Sequence, residues 1–156
     1  VGKFGAEKIL QSFTLKNKIP LTILRIAAVV GERDRSNQII PICVNRSLKN
    51  ETINVNEESS RDYIHVLDLI EFLIKAIKKN ENNIFNIGSG IKISAEKIIK
   101  KIIKLSNSKS QITYSKKSIG YDIVCDISKA VKNLHYKPKY SIEKGILDEI
   151  YWYKNC

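Results

Sequence analysis

Apolar positions recur at helical spacing from Phe4 to Leu15, and Asn17-Lys18-Ile19-Pro20 ends the run because proline cannot continue a helix. Leu21 to Val30 is a nearly continuous, β-branched apolar run ending at Gly31. That pattern predicts a strand buried on both faces, as in a parallel sheet covered by helices. Gly31 to Asn37 is charged and loop-like, and Gln38 to Leu48 returns to helical spacing. Thr52 to Val55 and Asp62 to Val66 predict short strands around a polar turn, Asn56 to Ser60. Asp68 to Lys79 sets Leu69, Phe72, Leu73, Ala76 and Ile77 on one helical face, and Ile84 to Ile87 reads as a strand broken by Gly88-Ser89-Gly90. Ser94 has the chemistry of an N-cap for a helix whose apolar face is Ile98, Ile99, Ile102, Ile103 and Leu105. Ser106 to Ser110 is a polar linker, Ile112 to Tyr114 a strand, and Ser128 to Leu134 and Ser141 to Tyr153 two closing helices separated by Lys137-Pro138. Helices alternating with both buried and half-buried strands predict an α/β fold with an α+β portion.

Composition narrows the class. At 156 residues and 43% apolar, the chain is one globular domain or part of a larger one. No apolar run approaches the roughly 18 to 20 residues of a membrane span, and Val1 to Leu10 lacks the apolar stretch of a secretory signal. A soluble, cytoplasmic chain without a membrane partner is expected. The 27 Lys and Arg against 16 Asp and Glu leave a net charge of +11, which suggests a polyanionic partner. The lysines are nevertheless spread with Ile and Asn over the whole length, as solvated surface lysines are. Cys43, Cys125 and Cys156 are odd in number and far apart, matching neither a disulfide framework nor a paired-cysteine metal site. With only His65 and His135 beside them, no metal site is expected.

Several local strings, in order, resemble one family. Gly2-Lys3-Phe4-Gly5-Ala6-Glu7 resembles the segment after the catalytic tyrosine of extended short-chain dehydrogenase/reductases, the nucleotide-sugar epimerase and dehydratase family. There the pattern is Tyr-x-x-x-Lys with an acidic residue four positions after the lysine. Leu24-Arg25 through Gly31 resembles that family's Leu-Arg-x-x-Asn-x-Tyr-Gly stretch. Arg61-Asp62-Tyr63-Ile64-His65-Val66-Leu67-Asp68 resembles its Arg-Asp-aromatic-aliphatic-x-Val-x-Asp signature, and Phe85-Asn86-Ile87-Gly88-Ser89-Gly90 its Asn-Ile-Gly strand end. Asp126-Ile127-Ser128-Lys129-Ala130, Tyr136-Lys137-Pro138, Gly145 and Trp152-Tyr153 resemble its closing segment.

The resemblance implies a partial Rossmann-type fold in which residues 1–31 and 84–105 end the Rossmann portion and residues 32–83 and 106–156 form the smaller substrate-binding portion. It implies NAD or NADP as cofactor of a full-length parent, a nucleotide-diphosphate sugar as substrate, and a homodimer. The glycine-rich turn on which a dinucleotide's pyrophosphate rests is not found, since Gly88-Ser89-Gly90 lacks the third glycine of the fingerprint. The tyrosine partner of Lys3 would fall just before Val1, so the expectation is a chain that begins inside the active-site helix, holds no cofactor stably and is incomplete for catalysis. In the family the lysine stabilises the tyrosine phenolate as a base and hydrogen-bonds the nicotinamide ribose; Lys3 takes that catalytic and cofactor-binding place by resemblance.

Ile26 and Ala28 are the expected backbone contacts to nicotinamide, and Ala28 also stands where the family often places an asparagine on the substrate. Val30 and Glu32 likewise replace the tyrosine and proline flanking Gly31, and only Lys116 or Lys117 stands in for a second phosphate-binding arginine. Arg61 is the expected substrate ligand, because a guanidinium matches a diphosphate bidentately; its alternative is an ion pair with Asp62 or Asp68. Asp62 and Asp68 are read as structural, as helix cap or Arg61 partner, His65 as a structural histidine, and Trp152 and Tyr153 as packing. Half of a doubly wound sheet should also expose apolar surface and self-associate. Two rival readings stand beside this one: a basic module for nucleic acid or acidic membrane, resting on the Lys-rich helix Ala95 to Leu105, and a non-catalytic remnant.

Overall fold

The computed structural model describes residues 2–155, and their side chains except at 56–58 and 116–119. Helix α1 (Gly2–Asn17) is stopped by the Pro20 turn and followed by β1 (Thr22–Ile26), which pairs in parallel with β6 (Asn83–Ile87), Thr22 opposite Asn83 and Ile26 opposite Ile87. The predicted single strand Leu21–Val30 is two. The Ala27 amide still bonds the Ile87 carbonyl at 2.7 Å, but the Ala28 amide bonds the Asp62 carbonyl at 3.1 Å. From there β2 (Ala28–Val30) runs parallel to β5 (Tyr63–His65). Nor is the run buried on both faces: Arg25, Ile26 and Ala28 are exposed, and among the described residues β1 has a ladder partner on one side only.

The predicted turn Asn56–Ser60 is also corrected. Strand β3 (Ile53–Glu58) continues through it and pairs in parallel with β8 (Ile112–Ile119), while β4 (Ser60–Arg61) pairs antiparallel with β7 (Ile93–Ser94). Polar residues read as a turn when their partner strand, distant in sequence, is out of sight. Helix α3 (Val66–Lys79) starts two residues before the predicted Asp68, because His65 caps it: its Nδ1 accepts the Leu67 amide at 3.1 Å.

Two apolar cores lie on opposite sides of β2 and β5. One gathers α2 (Ile39–Leu48), α4 (Ala95–Leu105) and α6 (Ile142–Asn155) around Val44, Ile53, Ile98, Ile102 and Ile146. The other sets Phe72, Phe85 and Tyr136 together under α5 (Ser128–Leu134), with Phe72 edge-on to Tyr136 at 5.1 Å. Period-two alternation sends Tyr63 into the first core and Ile64 into the second. Helix α4 turns its isoleucines onto α2 and α6, and on its other face Lys100 and Lys101 pair with Glu96 and Glu143. Such a helix is packed on one side and charge-compensated on the other, which does not favour the nucleic-acid reading. No helix among the described residues is long and apolar enough to cross a membrane.

Helix α1 packs differently. Only Thr14 is buried, and Phe4, Ile9, Leu10, Phe13 and Leu15 are between 48% and 82% exposed.

Candidate functional site

Helix α1 and β1 are joined by a tight turn and run antiparallel, so the start of the helix lies beside the end of the strand. A bidentate ion pair fixes their register: Arg25 donates from Nε to Glu7 Oε1 at 3.2 Å and from Nη2 to Oε2 at 2.7 Å. That hydrogen bonding holds the Glu7 carboxyl below its ordinary range. Lys3 lies one helical turn, about 6 Å, beyond Glu7, and Ala27 lies about 7 Å beyond Arg25 along the strand. The pairing therefore brings Lys3 level with Ile26 to Ala28, at the carboxyl ends of β1 and β6. Lys3 is exposed, as are Ile26 and Ala28.

Arg61 is set next to this corner by its neighbour. The Asp62 carbonyl takes the Ala28 amide, while the buried Asp62 carboxylate gathers the Ser89 amide at 2.8 Å, the Ser89 hydroxyl at 2.6 Å, the Gly90 amide at 3.0 Å and the Cys125 amide at 3.3 Å. Glycine at 88 is required, since a Cβ there would come within 2.2 Å of Asp62 Oδ2. The same turn accepts the Tyr136 hydroxyl on the Gly88 carbonyl at 3.1 Å.

These bonds settle three expectations. Asp62 is structural, but it ties a loop instead of capping a helix or holding Arg61. Asp68 is structural too, accepting the Lys139 and Tyr140 amides at 3.0 Å. The Gly88-Ser89-Gly90 turn cannot cradle a pyrophosphate, because the Ser89 and Gly90 amides that would do so already point at Asp62.

The Arg61 side chain donates from Nη1 to the Tyr121 carbonyl. It thus lies beside the strand edge where the Asp62 amide donates to the Ile123 carbonyl and the Ile123 amide to the Ser60 carbonyl, both at 3.0 Å. Ser59, two residues before it, lines a cavity of about 560 Å3 between α2, β3 and the start of α4. Ile53, Val55, Cys43 and Ile99 form its buried walls; Asn37, Asn54 and Arg46 stand exposed at its rim. Burial pushes the Cys43 thiol up to about 11 against the opposing pull of Arg46, so Cys43 is a wall and not a nucleophile. Tyr63 joins the two regions, its hydroxyl raised by burial and lying within the fields of Arg61 and Cys43.

His65 is 2% exposed and structural, as expected: with Nδ1 accepting the Leu67 amide, Nε2 carries the proton and donates to Asp148 at 2.9 Å. Trp152 and Tyr153 pack as expected, with the Arg33 guanidinium 4.5 Å over the Trp152 ring. Gly145 lets α6 close on β2, since a Cβ there would sit 2.6 Å from Val30. The Lys116 and Lys117 side chains and Cys156 lie outside the described residues. No cluster of three metal-ligating side chains occurs among the described residues.

Sequence reasoning missed the cavity rim, Asn37, Asn54 and Arg46, because single polar residues on unrelated elements share no motif. It also missed Glu149, which is fully buried. The signal was available there: Glu149 falls three after Ile146 and four after Gly145, on the apolar face of its helix.

The comparisons with known proteins agree with this arrangement. Residues 1–88 match the model of the NAD dependent epimerase/dehydratase family. The uncharacterized UDP-glucose epimerase YtcB of Bacillus subtilis is 28% identical over 156 residues, covering 96% of this chain and 49% of that protein. The dTDP-D-glucose 4,6-dehydratase of Dictyostelium discoideum is 33% identical over 107 residues, 67% of this chain and 25% of that protein. The crystal structure of UDP-glucose 4-epimerase from Thermotoga maritima, with UDP-glucose, superposes with a TM-score of 0.90 at 26% identity, over 97% of this chain and 52% of that one. The chain spans about half the length of these epimerases. With the family model covering more than half of the chain and the family's strings knotted together in space, the chain belongs to the NAD-dependent epimerase/dehydratase family.

Proposed function

We propose that this chain carries the substrate-holding part of an NAD(P)-dependent nucleotide-sugar epimerase or dehydratase. The observation that carries the reading is the placement of Arg61 between the Ala28 corner and the cavity that Ser59 lines. In this reading the nucleoside enters the cavity, its base against the apolar walls and its polar edge on Asn37 and Asn54. Arg61 then meets the diphosphate bidentately, and the sugar lies toward Ala28. The nucleotide-sugars for which the relatives are named, UDP-glucose and dTDP-D-glucose, fit that order of base, diphosphate and hexose.

The described residues fit only the nicotinamide end of the cofactor. Ile26 and Ala28 would border the ring, and Lys3 would bond the ribose and stabilise a tyrosine phenolate. The Gly88-Ser89-Gly90 turn after β6 offers no pyrophosphate cradle, because its amides are taken by Asp62. When bound, the nicotinamide would supply transient oxidation of the sugar; the part played by this chain is to hold the sugar's diphosphate and to set Lys3 beside the reacting corner.

Titration of the 15N-labelled chain with UDP-glucose, followed by amide chemical shifts, tests the reading. Shifts concentrated at residues 37–46, 53–55 and 59–63 are expected. Shifts confined to α4, with duplex DNA competing for them, would overturn it in favour of a basic module.

A further inference from the structure

The loop Gly31–Asn37 connects β2 to α2 and ends on the cavity rim at Asn37, so its position shapes the cavity. Two contacts dock it on α6. The Arg33 guanidinium stacks on Trp152, and the Asp34 amide donates to Glu149 Oε2 at 3.4 Å. Arg33 holds a left-handed backbone conformation at φ 63°, which an arginine keeps only when its surroundings enforce it.

Glu149 is the unusual member of this contact. Its side chain is 0% exposed, and Oε1 has no hydrogen-bond partner among the described residues. The charged and titratable groups around it are known from each element packed there. The loop presents Glu32 and Asp34, both acidic, and α6 itself presents Tyr153. His65 on β5 is engaged by Asp148, Lys101 on α4 by Glu143, and Arg46 on α2 by the Thr52 carbonyl. An ionised Glu149 would therefore sit in an apolar core beside two carboxylates, while the loop's own cation, Arg33, lies over the Trp152 ring.

We propose that Glu149 is a positioning residue for the candidate site: as a neutral carboxyl it clamps the loop Gly31–Asn37 on α6, and its ionisation releases the loop from the cavity. The consequence for ligand rests on the nucleotide-sugar reading above; the clamp does not. Oε2 serves as the carbonyl oxygen that accepts the Asp34 amide, and the proton resides on Oε1. Burial, reinforced by the charges of Asp34 and Glu32 and opposed by the Asp34 amide, pushes the carboxyl up to about 7. Because the value is raised on folding, the folded chain binds the proton more tightly than the unfolded one. The stabilisation is complete at low pH, and it is lost as pH rises from the ordinary glutamate range through about 7.

Trp152 is the only tryptophan, so its fluorescence reports the Arg33 contact and with it the loop. A one-proton fluorescence transition with a midpoint near 7 is expected for the unaltered chain, and none for Glu149→Gln, which keeps the low-pH signal. A transition that persists in Glu149→Gln belongs to another group and would overturn the proposal. Should that variant fail to fold, hydrogen exchange at the Asp34 amide of the unaltered chain decides. Its protection factor is expected to fall about tenfold from pH 6 to 8 while those of α4 hold, and an unchanged factor would overturn the clamp. UDP-glucose affinity should fall across the same range in the unaltered chain only. Absence of UDP-glucose binding at every pH, with the transition intact, would overturn the reading of the cavity and leave the clamp supported.

Discussion

Single side chains fix the geometry around Arg61. Asp62 is the clearest case: one buried carboxylate accepts three backbone amides and a hydroxyl from two loops that are otherwise far apart in sequence. Removing it leaves those amides unpaired, each of which costs about 1 to 3 kcal/mol when buried, so Asp62→Ala should destabilise the chain by about 3 kcal/mol or more. Asp62→Asn, which keeps one acceptor oxygen, should cost roughly half as much. Urea denaturation followed by circular dichroism checks this; equal midpoints for all three proteins would refute it. At this scale the sequence was readable where chemistry is scarce. Arg61 and Asp62 stand out as an arginine and an acid entering an apolar run, whereas Asp62's partners are backbone amides, which no side-chain pattern announces.

Elements were legible from periodicity, and their pairing was not. The helices α1, α2, α4, α5 and α6 fall near where apolar spacing sets them, and all but α1 bury an apolar stripe. The strands were found, but Leu21–Val30 divides at Ala27 because two different strands, β6 and β5, compete for its two ends. A sequence carries no mark of a partner sixty residues away. The contact between α6 and β2 likewise turns on an absent side chain. At Gly145 a methyl group would press to 2.6 Å from Val30, which is itself 1% exposed and cannot yield. Gly145→Ala gains helix propensity of about 1 kcal/mol yet should lower stability by about 1 to 3 kcal/mol through overpacking. A raised melting temperature would show that the helix and strand are less tightly engaged than described.

The whole molecule divides its surface unevenly. The cores formed around α2, α4 and α6 and around α3 and α5 are closed, whereas α1 keeps Ile9 at 72% and Leu15 at 82% exposed. Helix α1 is apolar on its outer side and lies beside a strand paired, among the described residues, along one edge, and the chain spans about half the length of its relatives. The family strings are spread through the entire chain and meet in space: Glu7 with Arg25, Asp62 with Ser89, Gly145 with Val30. What they could not give is the cavity, which is assembled from a helix, a strand and a loop with no shared motif.

The central claim is that Arg61 grips the diphosphate of a nucleotide-sugar. Calorimetric titration of the chain, Arg61→Lys and Arg61→Ala with UDP-glucose tests it most directly. The account predicts binding that weakens about ten- to a hundredfold in Arg61→Ala, the loss of a charge-assisted pair, and less in Arg61→Lys. Equal affinity for all three would contradict it.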